Sequence, residues 1–263
     1  MENQESLREE YNPEGSELRR LQLRMLDMLV VVDEICRRHD IPYWIEGGTL
    51  LGAVRHEGFI PWDDDLDIAL MKKDYVRFLK CLKEELPAQY RLQTHETDRN
   101  YYLAFAKIRE TDSEIKETGE YDELYAYKGI YIDIFSMEPV FPFFSKVSSY
   151  MNYLVRKFVP GRRTHIVKEM AVTVLFWLFK GGNGLFRLLG WLKKPSIIGY
   201  SYGVYSPLKC SEDMLFPLSE IKFENHCFKA PARVDAYLRS VFGDYMELPP
   251  KDKRGKHIVQ VKF

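Results

Sequence analysis

Apolar residues recur at alternating three- and four-residue steps from Leu18 through Leu21, Met25, Met28 and Val32 to Ile35, a stripe along one face of a helix expected over about 16–39. Ser16 stands where an N-cap belongs and Glu17 lies in the first turn; His39-Asp40-Ile41-Pro42 ends the helix. A short strand is expected at 43–45, a turn at Gly47-Gly48, one or two helical turns over 49–54, and a loop over 55–62 closed by Pro61-Trp62. The pattern then predicts a strand over 65–70 and a helix over 74–86 with Tyr75, Phe78, Leu79, Leu82 and Leu86 on one side. Strands are expected again over 101–109 and 129–135. Past Pro139 and Pro142 the composition changes and 143–195 reads as mainly helical, while a last helix is expected from Pro231, in an N1 position, to Gly243. These shifts divide the chain into a tail (1–15), a core (16–142), a helical insert (143–200) and a C-terminal part packing back on the core (201–263).

Strand parity brings in the chemistry. Alternate residues of a strand share a face, so Asp65 and Asp67 point one way while Leu66, Ile68 and Leu70 point the other. Over 129–135, Asp133 likewise faces away from Ile130, Ile132 and Ile134. If the two strands are neighbours, three carboxylates converge, and they stay ionised together only with a cation between them. Mg²⁺ or Mn²⁺ suits such a set, held by Asp65, Asp67 and Asp133 together with substrate phosphate oxygens, and phosphoryl transfer is the chemistry this favours. The bland alternative, a solvated acidic turn at Asp63-Asp64-Asp65, weakens because the run leads into a buried-looking strand and a second strand repeats the pattern. A calcium loop fails in detail: Ile68 stands where glycine is needed and Asp74 where glutamate is preferred.

Gly47, Gly48 and Thr49 supply a candidate phosphate cradle, since successive glycines let backbone N–H groups approach an anion at a helix start. Arg55, Lys107 and Arg109 are candidate phosphate contacts, and His56 is a weaker candidate whose ordinary role is a hydrogen-bonded loop histidine.

Composition narrows the partners. A formal net charge of −1 over 263 residues offers no field for nucleic acid, so none is expected as a partner. Four scattered cysteines, Cys36, Cys81, Cys210 and Cys227, fit neither a zinc site nor a disulfide framework, and with a polar N-terminus they point to the cytoplasm. Residues 171–191 are rich in Val, Leu, Phe and Trp but are interrupted by Lys180-Gly181-Gly182-Asn183-Gly184, which suggests a helical hairpin with arms too short to span a bilayer. Two readings stand: a buried helix pair, or a peripheral foot on the cytoplasmic membrane face flanked by Arg162, Arg163, Lys193 and Lys194.

The segment from Trp44 to Ile68, WIEGGTLLGAVRHEGFIPWDDDLDI, resembles the signature of the LicD family, which includes fukutin and fukutin-related protein. GIYIDIF, from Gly129 to Phe135, is similar to its second motif, and the stretch from FGDYMELPP (Phe242 to Pro250) to His257 to its C-terminal block. The resemblance implies an α+β fold of the nucleotidyltransferase type, a mixed β-sheet flanked by helices, with Gly47, Gly48, Asp65 and Asp67 as its motif residues and Asp133 as the third carboxylate. It also implies transfer of phosphocholine or a polyol phosphate from a CDP-activated donor, such as CDP-choline, to a hydroxyl of a cell-envelope glycan or lipid-linked glycan. Asp133 is then a metal ligand or the base that takes the hydroxyl proton. The gap from Gly48 to Asp65 is longer than the superfamily pattern, and the loop over 55–62 is expected to cover the nucleotide. A glycosyltransferase using a D-x-D site and a nucleotide sugar, and a non-catalytic binding protein of the same fold, are the alternatives.

Overall fold

The computed structural model describes residues 3–117, 124–158, 166–205, 210–255 and 258–263. The first helix, α1 (Gln4–Tyr11), lies in the stretch expected as a tail, and its Leu7 is buried in the main core. The amphipathic stripe forms α2 (Glu17–Arg38), and the Ser16 hydroxyl accepts the Arg19 N–H as an N-cap. Leu29 and Val32 on that stripe are fully buried; each contributes about 1.5–3 kcal/mol relative to exposure.

The sheet forms from β1 (Trp44–Ile45), β2 (Asp67–Met71), β3 (Tyr90–Gln93), β4 (Ala106–Glu110) and β6 (Tyr131–Pro139) in the order β1-β2-β6-β4-β3, with β7 (Ile198–Tyr200) pairing the far end of β6. β2 and β6 are parallel and the other pairs are antiparallel, so the sheet is mixed and the fold α+β. Ile68, Leu70, Ile132 and Ile134 bury one face, against which α2 and α4 (Lys72–Glu85) pack. β5 (Glu114–Glu117) pairs instead with β10 (Ile258–Lys262), and β8 (Ser219–Phe223) with β9 (His226–Ala230). Phe223, Phe228 and, from α8 (Val234–Phe242), Tyr237 and Leu238 join the same core. That last helix starts at Val234 rather than at Pro231.

Two expectations are corrected here. The Lys180–Gly184 run does not break a hairpin: α6 runs unbroken over Ile166–Lys193, and its antiparallel partner is α5 (Pro142–Lys157). Glycine costs about 1 kcal/mol in a helix. Here Gly182 lies beside Met151 of α5, at a distance where even a Cβ would make only ordinary contact. Buried Asn183 also accepts the Ser148 hydroxyl at 2.5 Å. Arg162, Arg163 and His257 lie outside the described residues. The loop expected over 55–62 starts only after His56, where a helix ends, and Phe59 within it packs edge-on against Phe223 at 4.8 Å while its N–H donates to Glu224.

His56 ends α3 (Gly47–His56) as a buried neutral group. Its Nδ1 faces Gln4 Oε1 at 2.5 Å and its Nε2 accepts from Arg55 Nε at 3.0 Å. Burial, then the charges of Arg55 and Arg8, push its pKa down to about 3. The unfolded chain therefore takes up a proton that the folded chain refuses, so this group's stabilisation is full above pH about 6.5 and is lost as pH falls toward 3. Unfolding free energies from urea titrations across that window should decline as pH falls, by up to about 1.4 kcal/mol per unit, and His56→Asn should flatten the decline.

Candidate active site

The sheet register assembles the site. Asp67 on β2 is the direct partner of Asp133 on the parallel strand β6, and Lys107 on β4 is the partner of Asp133 from the other side. Parallel neighbours lie about 4.8 Å apart, so the two carboxylates stand side by side on the face away from α2 and α4. Asp65 precedes β2 rather than lying within it, yet the extended backbone keeps the alternation: Asp63, Asp65 and Asp67 are half-buried while Asp64, Leu66 and Ile68 are buried. Asp64 turns to the opposite side and accepts the Ile258 N–H at 2.7 Å, tying β10 to the acidic run.

The local field is strongly anionic. Burial first, then the charges of Asp65, Asp133, Asp63 and Glu46, hold the Asp67 pKa well above the carboxylate range. Asp133 rises to about 6, chiefly through burial and against the pull of Lys107. Lys107 is itself buried, with Nζ 2.8 Å from Asp133 Oδ1 and 3.3 Å from the centre of the Tyr131 ring. The Asp133 contact is a charge contact rather than an aligned hydrogen bond, so Oδ1 keeps an unsatisfied acceptor.

The glycines fit close against these acids. Gly47 has φ +54°, and a Cβ there would lie 3.0 Å from Asp67 Oδ2. A Cβ on Gly48 would lie 2.8 Å from Asp63 Oδ2. Thr49 serves the frame, its hydroxyl accepting the Asp67 N–H at 2.8 Å. The start of α3 therefore approaches the carboxylates as closely as chain geometry permits.

The cationic candidates divide. Lys107 stands inside the site. Arg55 lies over Trp62 and donates to the Tyr245 and Glu247 carbonyls, holding the C-terminal segment. Arg109 is buried, with Gln93, Gly129 and Glu117 as partners, and belongs to the sheet frame. Sequence reasoning missed Glu46. This buried carboxylate accepts from Trp44 Nε1 at 2.7 Å, from Tyr237 Oη on its two oxygens at 2.8 and 2.7 Å, and from Tyr200 Oη at 3.1 Å. Burial nevertheless raises its pKa. Glu46 stands at the N-cap position of the helix that begins with Gly47, its carboxylate held by Trp44, Tyr200 and Tyr237 rather than by a cap bond.

Among the described residues no three His, Cys, Asp or Glu side chains close around a single point as a finished ion site. The unsatisfied Asp133 oxygen, the crowded acids and the glycine cradle nonetheless fit a hard cation held by two or three carboxylates and completed by substrate phosphate oxygens.

A mixed sheet that sets two in-register carboxylates beside a Gly-Gly helix start has the layout of a nucleotidyltransferase-type domain. Residues 40–165 match the family model described as LicD/FKTN/FKRP, nucleotidyltransferase domain. The lipopolysaccharide cholinephosphotransferase LicD of Haemophilus influenzae is 26% identical over 258 residues, covering 94% of this chain and 97% of that protein. An uncharacterized Rickettsia typhi protein is 44% identical over 71 residues, 27% of this chain and 23% of its own. The human ribitol 5-phosphate transferase FKRP is 53% identical over 34 residues, 13% of this chain and 7% of FKRP.

Proposed function

We propose that this chain moves a phospho-substituent, phosphocholine or a polyol phosphate, from a CDP-activated donor to a hydroxyl of a cell-envelope glycan or glycolipid. The enzyme class, a transferase of phosphate-containing groups, follows from the relatives; the donor, the metal and the acceptor are this reading's own. One observation carries it: Asp67 and Asp133 are register partners on adjacent strands, with Gly47 and Gly48 packed against the acids.

Asp65, Asp67 and Asp133 would hold Mg²⁺ or Mn²⁺, which supplies neutralisation of the donor's pyrophosphate charge. The amides at the Gly47-Gly48 helix start favour the same anion from the other side. As the alternative to a ligand role, the Asp133 carboxylate is the base that accepts the proton of the acceptor hydroxyl. The hydroxyl oxygen bonds to phosphorus, the pyrophosphate P–O bond breaks, and CMP leaves. Lys107 steadies the Asp133 charge through its 2.8 Å contact.

A donor screen tests this directly. CMP release from CDP-choline or a CDP-polyol should depend on added Mg²⁺ or Mn²⁺, stop with EDTA, and resume on metal addition. UDP release from a UDP-sugar, with CDP donors inert, would replace this reading with the glycosyltransferase one.

A further inference from the structure

The α5–α6 hairpin carries charge and apolar surface out of keeping with the rest of the chain. Residues 141–200 hold ten Lys or Arg and one acid, Glu169, a formal +9, which leaves −10 for the remainder of a chain that totals −1. Along α6, Val174, Trp177, Leu178, Leu185, Leu188 and Trp191 recur at helical spacing and are all exposed, Trp177 by 64% and Trp191 by 75%. The two tryptophans stand 14 positions apart, about 21 Å along the axis, too short a reach to cross a bilayer but suited to lying in its surface. No described helix is long and apolar enough to span a membrane. On α5 the exposed face alternates aromatics with lysines: Phe143, Lys146, Tyr150, Tyr153 and Lys157. Aromatic rings and lysines are the residues that settle at the headgroup level of a bilayer.

Behind this face, between α4, α6 and the segment leading into β4, lies a cavity of about 790 Å³. Six of its lining side chains are Lys or Arg and only Glu96 is acidic, so the cavity selects anions. Lys83 already pairs with Glu96 at 2.7 Å, and Arg187 with Glu138 at 2.9 Å. Among the described residues Lys72 and Lys180 have no ion-pair partner, and burial with the nearby charges of Arg187 and Lys180 presses Lys72 down to about 8. Trp177 belongs both to the cavity wall and to the exposed face, so the cavity opens at the edge of that face. At its inner end Phe105 packs on Phe135 at 4.7 Å, and Phe135 is two residues beyond Asp133 on β6.

We propose that the outward face of the α5–α6 hairpin rests on an anionic membrane surface, and that the cavity behind it receives the anionic headgroup of a lipid-borne acceptor. The headgroup half rests on the phosphoryl-transfer reading; the membrane half does not. A charge excess of this size points to an anionic bilayer rather than to a second copy, whose own hairpin would carry the same positive charge.

Flotation of the full chain with phosphatidylcholine vesicles, with and without phosphatidylglycerol, tests both halves and needs neither donor nor metal. The protein should float with the phosphatidylglycerol vesicles at low salt and be released by high salt. Leu178→Glu/Leu188→Glu should lower the bound fraction about tenfold or more, with circular dichroism melting used to verify the fold. Lys72→Ala/Lys180→Ala should lower it severalfold. Equal flotation of the Leu178→Glu/Leu188→Glu variant overturns the membrane face, and unchanged binding of the lysine variant overturns the headgroup site. A dimer by light scattering that the leucine substitutions dissolve, without flotation of the parent chain, assigns the face to a second copy instead. Because flotation does not report catalysis, a CDP-donor screen that fails leaves this result standing, and the reverse.

Discussion

Asp67→Asn should abolish transfer while making the metal-free protein more stable. The two effects have one cause. Asp67 is pressed by Asp65, Asp133, Asp63 and Glu46, and burial keeps water from screening them. A neutral amide of the same shape removes that repulsion, worth about 1–3 kcal/mol in the folded state. The same change removes a ligand charge from the proposed cation site, and kcat should fall by at least about 10³-fold. Thermal melting without metal and CMP release with Mg²⁺, on the same preparation, read both sides. A variant that keeps full transfer sinks the carboxylate centre, and one that loses both transfer and stability marks Asp67 as a structural residue.

The second large effect is on folding. Glu46→Ala should cost about 3 kcal/mol or more, because it strips the acceptor from the buried Trp44 indole and the Tyr237 and Tyr200 hydroxyls at once. Tyr237→Phe removes one donor and leaves the carboxylate two others, Trp44 and Tyr200, so its cost should be about 1 kcal/mol, the worth of one hydrogen bond. Glu46→Gln should fall between them, since Gln keeps the volume and one acceptor oxygen. Urea unfolding of the three variants ranks them, and a Glu46→Ala midpoint level with that of the parent chain rules out the buried-acceptor role. Transfer should fall with stability in this series, as Glu46 immediately precedes the helix start that carries Gly47 and Gly48.

What could be read in advance was whatever short-range pattern determines. The α2 stripe, the two aliphatic strands and the facing of Asp67 and Asp133 all follow from periodicities of 3.6 and 2. Parity held even for Asp65, which lies outside the strand assigned to it, because an extended loop alternates its side chains as a strand does. The break expected at Lys180–Gly184 failed because tertiary contacts outweigh propensity: Asn183 is held against α5 by Ser148. β3 and β5 escaped notice, being four-residue strands too short for an apolar alternation such as Tyr90 and Leu92 to stand out. Glu46 was invisible as a structural centre because two of its donors, Tyr200 and Tyr237, lie 154 and 191 positions away.

Those same separations bear on how the chain comes to be built. The stretch matched by the family model, 40–165, contains every candidate carboxylate but excludes both tyrosines that satisfy Glu46. A nascent chain emerging from the ribosome would thus carry a complete motif long before it could hold that motif in place. The tyrosine that reaches both oxygens of Glu46, Tyr237, arrives 191 positions after it. A protein cut at the motif boundary would keep its signature and lose its keystone.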